Sequence, residues 1–189
     1  MADKIRSQKQ LKQWYESKHY SYLEHRNAKC LKRTARNWIE KYNLRSILDV
    51  GCWTGDFVNY IKDLDFRHYL GTDICIEALE EAQKKFGGDD RIRFQNIEWR
   101  SKDPLQGKYP DFDVIYFGGV LYYIDNRLDF VIEFLNRTNS DTFIVQDLQS
   151  TNVNQLREAF DVLQMKRFVI DVDMPEDIRN RQMIMFRRK

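Results

Sequence analysis

The stretch Ile47-Leu48-Asp49-Val50-Gly51-Cys52-Trp53-Thr54-Gly55-Asp56-Phe57 decides the fold of this chain. An apolar run containing Asp49 is followed by a turn with two glycines, and a helical pattern begins directly after the turn. This order predicts a buried strand that delivers a ligand-binding loop to the start of a helix.

Strand and helix signals alternate on both sides of this turn. Alternation of this kind predicts an α/β fold with a mostly parallel seven-stranded sheet and helices on both faces. The predicted strands are Ser46–Val50, Tyr69–Asp73, Ile92–Gln95, Phe112–Phe117, Thr142–Asp147, Lys166–Val172 and Gln182–Phe186. The predicted helices are Ser7–Tyr15, Ser21–Tyr42, Thr54–Leu64, Ile76–Phe86, Arg127–Leu135 and Val153–Leu163, and residues 99–111 are predicted as a loop or a vestigial helix.

Composition sets the class of the protein. A chain of 189 residues that is 42% hydrophobic is long enough for one domain with a substantial core. It contains no continuous apolar stretch of about 18 residues, and its N-terminus lacks the apolar core of a signal peptide, so we expect a cytoplasmic protein without a membrane span. Three cysteines without a CxxC pair, and no histidine at metal spacing, predict free thiols and no metal site.

Positive charge is concentrated before the first predicted strand. Residues 1–45 hold 12 Lys/Arg and 4 Asp/Glu, whereas the remaining residues hold 19 and 25. Such a segment is typical either of the solvated faces of two amphipathic helices or of a surface that attracts phosphate, as in RNA, a nucleotide-linked substrate or a membrane. Both interpretations remain open from the charge alone.

Ligand-type residues follow four consecutive predicted strands. In a parallel sheet of this kind, ligands bind at the carboxyl ends of the strands, near the point where the strand order reverses. Asp73 lies about 20 residues beyond the glycine turn, a distance typical of an acidic side chain that accepts hydrogen bonds from a ribose diol. The strand-end residues are Asp49, Gly51 and Gly55, then Asp73, then Glu98, then Gly118 and Gly119.

These stretches together resemble the motifs of the class I S-adenosylmethionine-dependent methyltransferases. Residues 47–55 are similar to the family's first motif, ILDVGCGTG, with Trp53 in place of the middle glycine. Residues 71–74 resemble the second motif, whose acidic residue binds the ribose, and residues 93–98 resemble the third. The stretch FDVIYFGGVLYYI, residues 112–124, is similar to the fourth motif.

The resemblance implies a Rossmann-like sheet whose last strand is antiparallel, with residues 1–44 as an N-terminal helical lid and 45–189 as the cofactor-binding core. It implies S-adenosylmethionine as cofactor and S-adenosylhomocysteine as product. Asp56 at the start of the predicted helix disfavours a phosphate there, which favours this cofactor over a dinucleotide. Trp53 is interpreted as an aromatic wall beside the methionine end. The expected cofactor-binding residues are Asp49, Gly51, Cys52, Trp53, Gly55, Asp73, Ile74, Ile97, Glu98, Phe117, Gly118 and Gly119.

Methyl transfer is a direct displacement, so a base is needed only when the acceptor is protonated. Candidates for this catalytic role are His19, His25, Tyr122 and Asp147, whereas His68 lies at the opposite end of the sheet and is interpreted as structural. An aromatic cluster in the lid can exclude water and contact the acceptor. The expected substrate-binding residues are Trp14, Tyr15, Tyr20, Tyr22 and Tyr122.

The form of the fourth motif points to the acceptor. Phe117-Gly118-Gly119-Val120 differs from the [DN]PP[YFW] motif of adenine and glutamine N-methyltransferases, and GVLYYI looks most like small-molecule enzymes. We therefore expect transfer to an oxygen or nitrogen of a small molecule, such as a natural product or a sugar. Two alternatives remain: an RNA or protein methyltransferase that uses the basic segment, and a non-catalytic regulatory protein, which Trp53 suggests.

Overall fold

The computed structural model describes residues 8–17, 26–98, 111–121, 127–148, 154–169 and 180–189. None of the helices in these ranges is long and apolar enough to cross a membrane. Along the chain the elements are α1 (Gln8–Glu16), α2 (Arg26–Lys41), β1 (Ser46–Val50), α3 (Val58–Ile61), β2 (His68–Asp73), α4 (Ile76–Phe86), β3 (Ile92–Asn96), β4 (Val114–Gly118), α5 (Arg127–Arg137), β5 (Thr142–Leu148), α6 (Asn154–Ala159), β6 (Phe160–Val169) and β7 (Asn180–Arg188).

The strands form one seven-stranded sheet in the order β3-β2-β1-β4-β5-β7-β6. Strand β1 pairs in parallel with β2 on one side and with β4 on the other, so the strand order reverses between β1 and β4. Strand β7 is antiparallel to both β5 and β6. The predicted α/β fold, with a mostly parallel sheet and an antiparallel last strand, is confirmed.

Each face of the sheet is covered by helices. Alternate residues of a strand point to opposite faces, and β1 divides its side chains accordingly. Leu48 and Val50 pack with residues of α5 and α6, whereas Ile47 packs with residues of α2 and α3. Asp49 shares the face of Ile47, which places this carboxylate on the side covered by α2 and α3.

The C-terminal end of α2 sets the direction of β1. Asn43 adopts a left-handed φ of 52° in the turn that ends this helix. The amide of Leu44 donates to the carbonyl of Ile39, so the chain leaves the helix in a closed turn and enters β1 two residues later.

Two predicted helices are wrong in their extent. The predicted helix Thr54–Leu64 is reduced to the four residues of α3, because Gly55 has a left-handed φ of 68° and the chain before Val58 forms turns. The predicted helix Val153–Leu163 ends at Ala159, and β6 starts at Phe160 rather than at Lys166. Pairing with β7, from Phe160 opposite Arg188 onward, outweighs the helical periodicity of these residues.

Some predicted features lie outside the described residues. These are the start of the predicted helix at Ser21 and nearly all of the loop at 99–111. The division of the chain at residue 44 stays a prediction, although α2 buries Leu31, Ala35 and Ile39 in the same cluster as the sheet.

Candidate functional site

Two buried carboxylates stand at the carboxyl ends of adjacent strands. Asp49 in β1 is 2% exposed and Asp73 at the end of β2 is 7% exposed. The two strands are parallel neighbours, with Asp49 opposite Gly71. A pair of buried acids at this place requires hydrogen-bonding partners, because burial of an unpaired carboxylate is strongly unfavourable.

The carboxylate of Asp49 has a hydrogen-bond partner on the neighbouring strand. The hydroxyl of Tyr69 donates a 2.6 Å hydrogen bond to Oδ2 of Asp49. Burial raises the pKa of Asp49 to about 7, while the Tyr69 hydrogen bond and the charge of Lys32 act in the opposite direction. Asp73 and Asp56 add to the upward shift of the pKa. The Asp49 carboxylate therefore lies in a region where a nearby positive charge would be strongly stabilising.

Asp73 is held by the backbone of the glycine turn and by the residues that follow β2. The amide of Trp53 donates to Oδ2 at 2.8 Å, and the amide of Cys75 donates to Oδ1 at 2.9 Å. Burial raises the pKa of Asp73, and these backbone hydrogen bonds oppose the shift. A carboxylate has roughly four acceptor positions, so both oxygens keep capacity for a ligand hydroxyl.

The turn between β1 and α3 alternates left-handed residues. Gly51, Trp53 and Gly55 have φ of 73°, 51° and 68°. Glycine adopts this region freely, whereas a tryptophan there is strained. At Gly51 an added Cβ would lie 3.2 Å from Cβ of Val120, so the turn after β1 packs closely on the loop after β4. The turn, Asp73 and the segment Gly118–Val120 thus surround one place, next to the point where the strand order reverses between β1 and β4.

The side chain of Trp53 points toward α4 and α1. Its indole packs in a small cluster with Ile74, Cys75 and Ala78, and its ring centroid is 5.9 Å from that of Tyr15. Tyr15 in turn donates to a carboxylate oxygen of Glu81 at 2.5 Å. The ring thus lies on the side of Ile74 and α4, and the interpretation of Trp53 as a wall beside the methionine end stays a prediction. The strained backbone places it there.

The end of β3 completes the side of the site next to β2. The Asn96 amide nitrogen donates to the carbonyls of Asp73 and Ile74, and the amide of Ile97 donates to the same Asp73 carbonyl. Ile74 is half-buried, Ile97 is buried and Glu98 is exposed. This edge offers an apolar surface with an acidic residue beside it, which suits an aromatic base.

Three side chains near the site are buried and face the interior of the protein. The ring of Phe117 is fully buried against Phe130, Phe134 and Phe143, which leaves its backbone as the part that can contact a ligand. Burial raises the pKa of the Cys52 thiol well above its ordinary value and that of Cys75 to about 11. Both cysteines are free and protonated, so neither is a nucleophile here.

The role assigned to Asp56 needs correction. This residue precedes α3 and forms an ion pair with Lys32 of α2, so its negative charge is compensated. Repulsion by Asp56 is therefore a weak argument against a phosphate. The length of α3 is a stronger argument against a phosphate, because the dipole of a four-residue helix attracts an anion only weakly.

Several predicted residues cannot be placed. His19, Tyr20, Tyr22, His25 and Tyr122 lie outside the described residues, as do the side chains of Trp14 and Asp147. Among the predicted substrate-binding residues, Tyr15 has a described side chain, and it contacts Trp53. His68 is half-buried at the start of β2, edge-on to the ring of Phe112, in agreement with its structural interpretation.

Sequence reasoning missed Tyr69, Asn96 and Lys32 as parts of the site. Tyr69 and Asn96 act between neighbouring strands, so their partners follow from strand register. Lys32 could have been found from the sequence, because it follows Leu31 on the side of α2 that also carries Ala35 and Ile39, and a lysine near a buried surface needs an acid as partner.

The sheet order, the acidic residues after β1 and β2 and the tight turn between them define a class, the Rossmann-like S-adenosylmethionine-dependent methyltransferases. A model of the family described as a methyltransferase domain matches residues 48–144, just over half of the chain. The chain belongs to this methyltransferase family. The match spans β1 to β5 and so includes the whole turn after β1, Asp73 and the loop after β4.

Similar proteins agree with this assignment. Phosphoethanolamine N-methyltransferase 1 of Zea mays is 29% identical over 99 residues, which are 50% of this chain and 19% of that protein. The chain thus matches about a fifth of that relative's length. A chain of the complex between the Haloferax volcanii Trm112 methyltransferase activator and the putative methyltransferase has a TM-score of 0.70 at 14% identity, covering 97% of this chain and 99% of that one. The N-methyltransferase NodS of Bradyrhizobium japonicum WM9, in complex with S-adenosyl-L-homocysteine, has a TM-score of 0.63 at 13% identity, covering 83% and 85%.

Proposed function

We propose that this chain transfers a methyl group from S-adenosylmethionine to an oxygen or nitrogen of a small molecule. The observation that carries the proposal is the pair of buried carboxylates, Asp49 and Asp73, joined through the turn that contains Trp53. Two acids at the ends of adjacent strands suit a ligand that carries positive charge at one end and a diol in its middle. The cofactor has both, and when bound it supplies an electrophilic methyl group on a sulfonium.

Individual residues have distinct tasks in this proposal. Asp73 binds the ribose hydroxyls, Ile74 and Ile97 border the adenine, and Glu98 lies at its edge. Asp49 faces the positively charged part of the ligand, and Gly51 allows close approach of the backbone. Gly118 and Gly119 continue the same surface beyond β4, with Gly119 at a φ of 98°.

The protein's contribution to the reaction is alignment and exclusion of water, because the displacement needs little else. Tyr69 and Tyr116 are poor general bases, since burial raises the pKa of both phenols well above the ordinary value. His19, His25, Tyr122 and Asp147 remain the proposed bases for a protonated acceptor, and Trp14, Tyr15, Tyr20 and Tyr22 the proposed acceptor contacts.

Ion pairing in α2 favours a small acceptor over RNA. Lys32 is paired with Asp56, and Arg36 is bonded to Glu40 and Asp63 at 3.0 Å each. Two of the six basic residues of this helix are therefore compensated within the chain rather than presented to phosphate. Two of the similar proteins are named N-methyltransferases, which agrees with a nitrogen acceptor.

A labelling experiment tests the proposal. The protein is incubated with methyl-tritiated S-adenosylmethionine and, separately, with a small-molecule extract, total RNA or total protein, and Asp73→Ala is the control. We expect label in the small-molecule fraction, lost in the control. Label confined to RNA or protein would contradict the small-molecule acceptor, and cofactor binding without transfer to any fraction would favour a regulatory role.

A further inference from the structure

Lys32 lies beside the glycine turn although it belongs to the basic N-terminal segment. Its ammonium contacts the carboxylate of Asp56, one residue beyond Gly55, and its side chain is only 12% exposed. It also lies 5.8 Å from the centroid of the Tyr60 ring. Lys32 is thus partly withdrawn from solvent at the edge of the turn, unlike Lys29 and Arg33 on the same helix, which are exposed.

The strand geometry brings Lys32 toward Asp49. Asp49 points to the face that α2 and α3 cover, so its carboxylate and the ammonium of Lys32 lie on the same face of the sheet, beside the turn that follows β1. The charge of Lys32 is close enough to oppose the rise in the pKa of Asp49. One end of the site therefore has a cation and an anion that are not partners of each other, since Asp49 is bonded to Tyr69 and Lys32 to Asp56.

A zwitterion is the chemical complement of such a pair. The amino acid tail of S-adenosylmethionine carries one carboxylate and one ammonium, and each needs an opposite charge. We propose that Lys32 binds the carboxylate of this tail, while Asp49 faces its ammonium. The inference rests on the proposed function and assigns a residue that the family motifs do not contain.

Asp56 holds Lys32 in place before the ligand arrives. Its side chain is 45% exposed, so water can replace the ammonium when Lys32 turns to the ligand, and Asn59 remains as a partner of its other oxygen at 3.2 Å. Arg36, one turn further along α2, is bonded to Glu40 in the same helix and to Asp63 just beyond α3. Its charge therefore stays in the contact between these two segments.

Two probes separate tail binding from a structural role. S-adenosylhomocysteine and 5′-methylthioadenosine share the adenosine and the sulfur, but the second lacks the amino acid tail. For Lys32→Met, which removes the charge and keeps the length, we expect the Kd of S-adenosylhomocysteine to rise about 10- to 100-fold, the range for loss of a charged hydrogen bond. The Kd of 5′-methylthioadenosine should stay within about twofold. Lys29→Met is the matched control and should change neither.

Two further variants guard against a folding defect. Lys32→Arg should retain most of the affinity for S-adenosylhomocysteine. Asp56→Asn removes the same ion pair but keeps the ammonium, so it should bind S-adenosylhomocysteine at least as tightly as the wild type. If the pair served only to dock α2, Asp56→Asn would weaken binding as much as Lys32→Met.

The outcomes are distinct. If Lys32→Met weakened the binding of both probes equally, or of neither, the role of Lys32 would be overturned. The proposed function would still stand as long as the wild type binds S-adenosylhomocysteine. A wild-type protein that binds neither probe would overturn the proposed function and this inference together.

Discussion

The hydroxyl of Tyr69 donates a 2.6 Å hydrogen bond to Oδ2 of Asp49, between two parallel strands in the interior. This contact provides a donor for a carboxylate that has almost no access to water. The side chain of Asp49 is therefore positioned by the sheet rather than by the turn that follows β1. The acid that we propose faces the ligand is therefore prepositioned by a residue that sequence motifs do not mark.

Tyr69→Phe removes this donor without changing the packing of the ring. We expect a loss of about 1 to 3 kcal/mol of unfolding free energy, because a buried acceptor loses its partner. The loss should be larger at pH 8 than at pH 5, since Asp49 is ionised above its pKa of about 7. Urea unfolding at both pH values measures it. Tyr60→Phe, at a half-buried ring, is the control, and equal losses in the two variants would argue against the assigned contact.

The raised pKa of Asp49 makes stability depend on pH. The folded-state pKa of about 7 exceeds the ordinary value of 3.8. The contribution of this carboxyl to stability is therefore complete below pH 3.8 and is lost as the pH rises through 7. Asp49→Asn removes the effect. Its unfolding free energy relative to the wild type should increase by about 2 to 3 kcal/mol from pH 5 to pH 8. A constant difference across this range would contradict the burial of an ionisable Asp49.

Gly51 is required by both backbone conformation and contact. Gly51→Ala places a Cβ in a left-handed residue, 3.2 Å from Cβ of Val120, and we expect about 1 to 2 kcal/mol of destabilisation. Gly88→Ala is the matched control, because an added Cβ there meets no atom within 4 Å. It should change stability by less than about 0.5 kcal/mol. Thermal unfolding of both variants checks this, and similar shifts would contradict the special role of Gly51.

Trp53 connects the turn to α1. Trp53→Gly removes the ring that contacts Tyr15, so α1 should detach more often and trypsin should cleave at Lys12 several-fold faster. Tyr15→Phe loses the hydrogen bond to Glu81 but keeps the ring contact, and should give an intermediate rate. Mass spectrometry of timed digests measures the cleavage. Unchanged cleavage in Trp53→Gly would show that this contact does not hold α1.

The parts of the fold predicted well are those with strong local signals. Strand β1 and helix α4 have the predicted bounds, because an apolar run before a glycine turn and a helical stripe before Gly87 specify them. The errors at α3 and at the start of β6 share a cause. Left-handed φ values in the turn and the pairing of Phe160 with Arg188 depend on structure beyond the local pattern.

The site divides in the same way. Asp49 and Asp73 could be predicted because acids at strand ends are visible in the sequence. Tyr69 could not, since its partner follows from the register of strands about 20 residues apart. The direction of the Trp53 ring depends on a strained φ, and the partner of Lys32 depends on how α2 packs against α3.

The central claim is that Asp73 and its surroundings bind S-adenosylmethionine. Calorimetric titration of S-adenosylhomocysteine into the wild type and into Asp73→Ala tests it most directly, with circular dichroism to verify that the variant is folded. We expect a micromolar Kd for the wild type and at least about a 100-fold weaker one for Asp73→Ala, because the charged hydrogen bonds to the ribose are lost. No heat of binding in the wild type, or equal affinity in a folded Asp73→Ala, would contradict it.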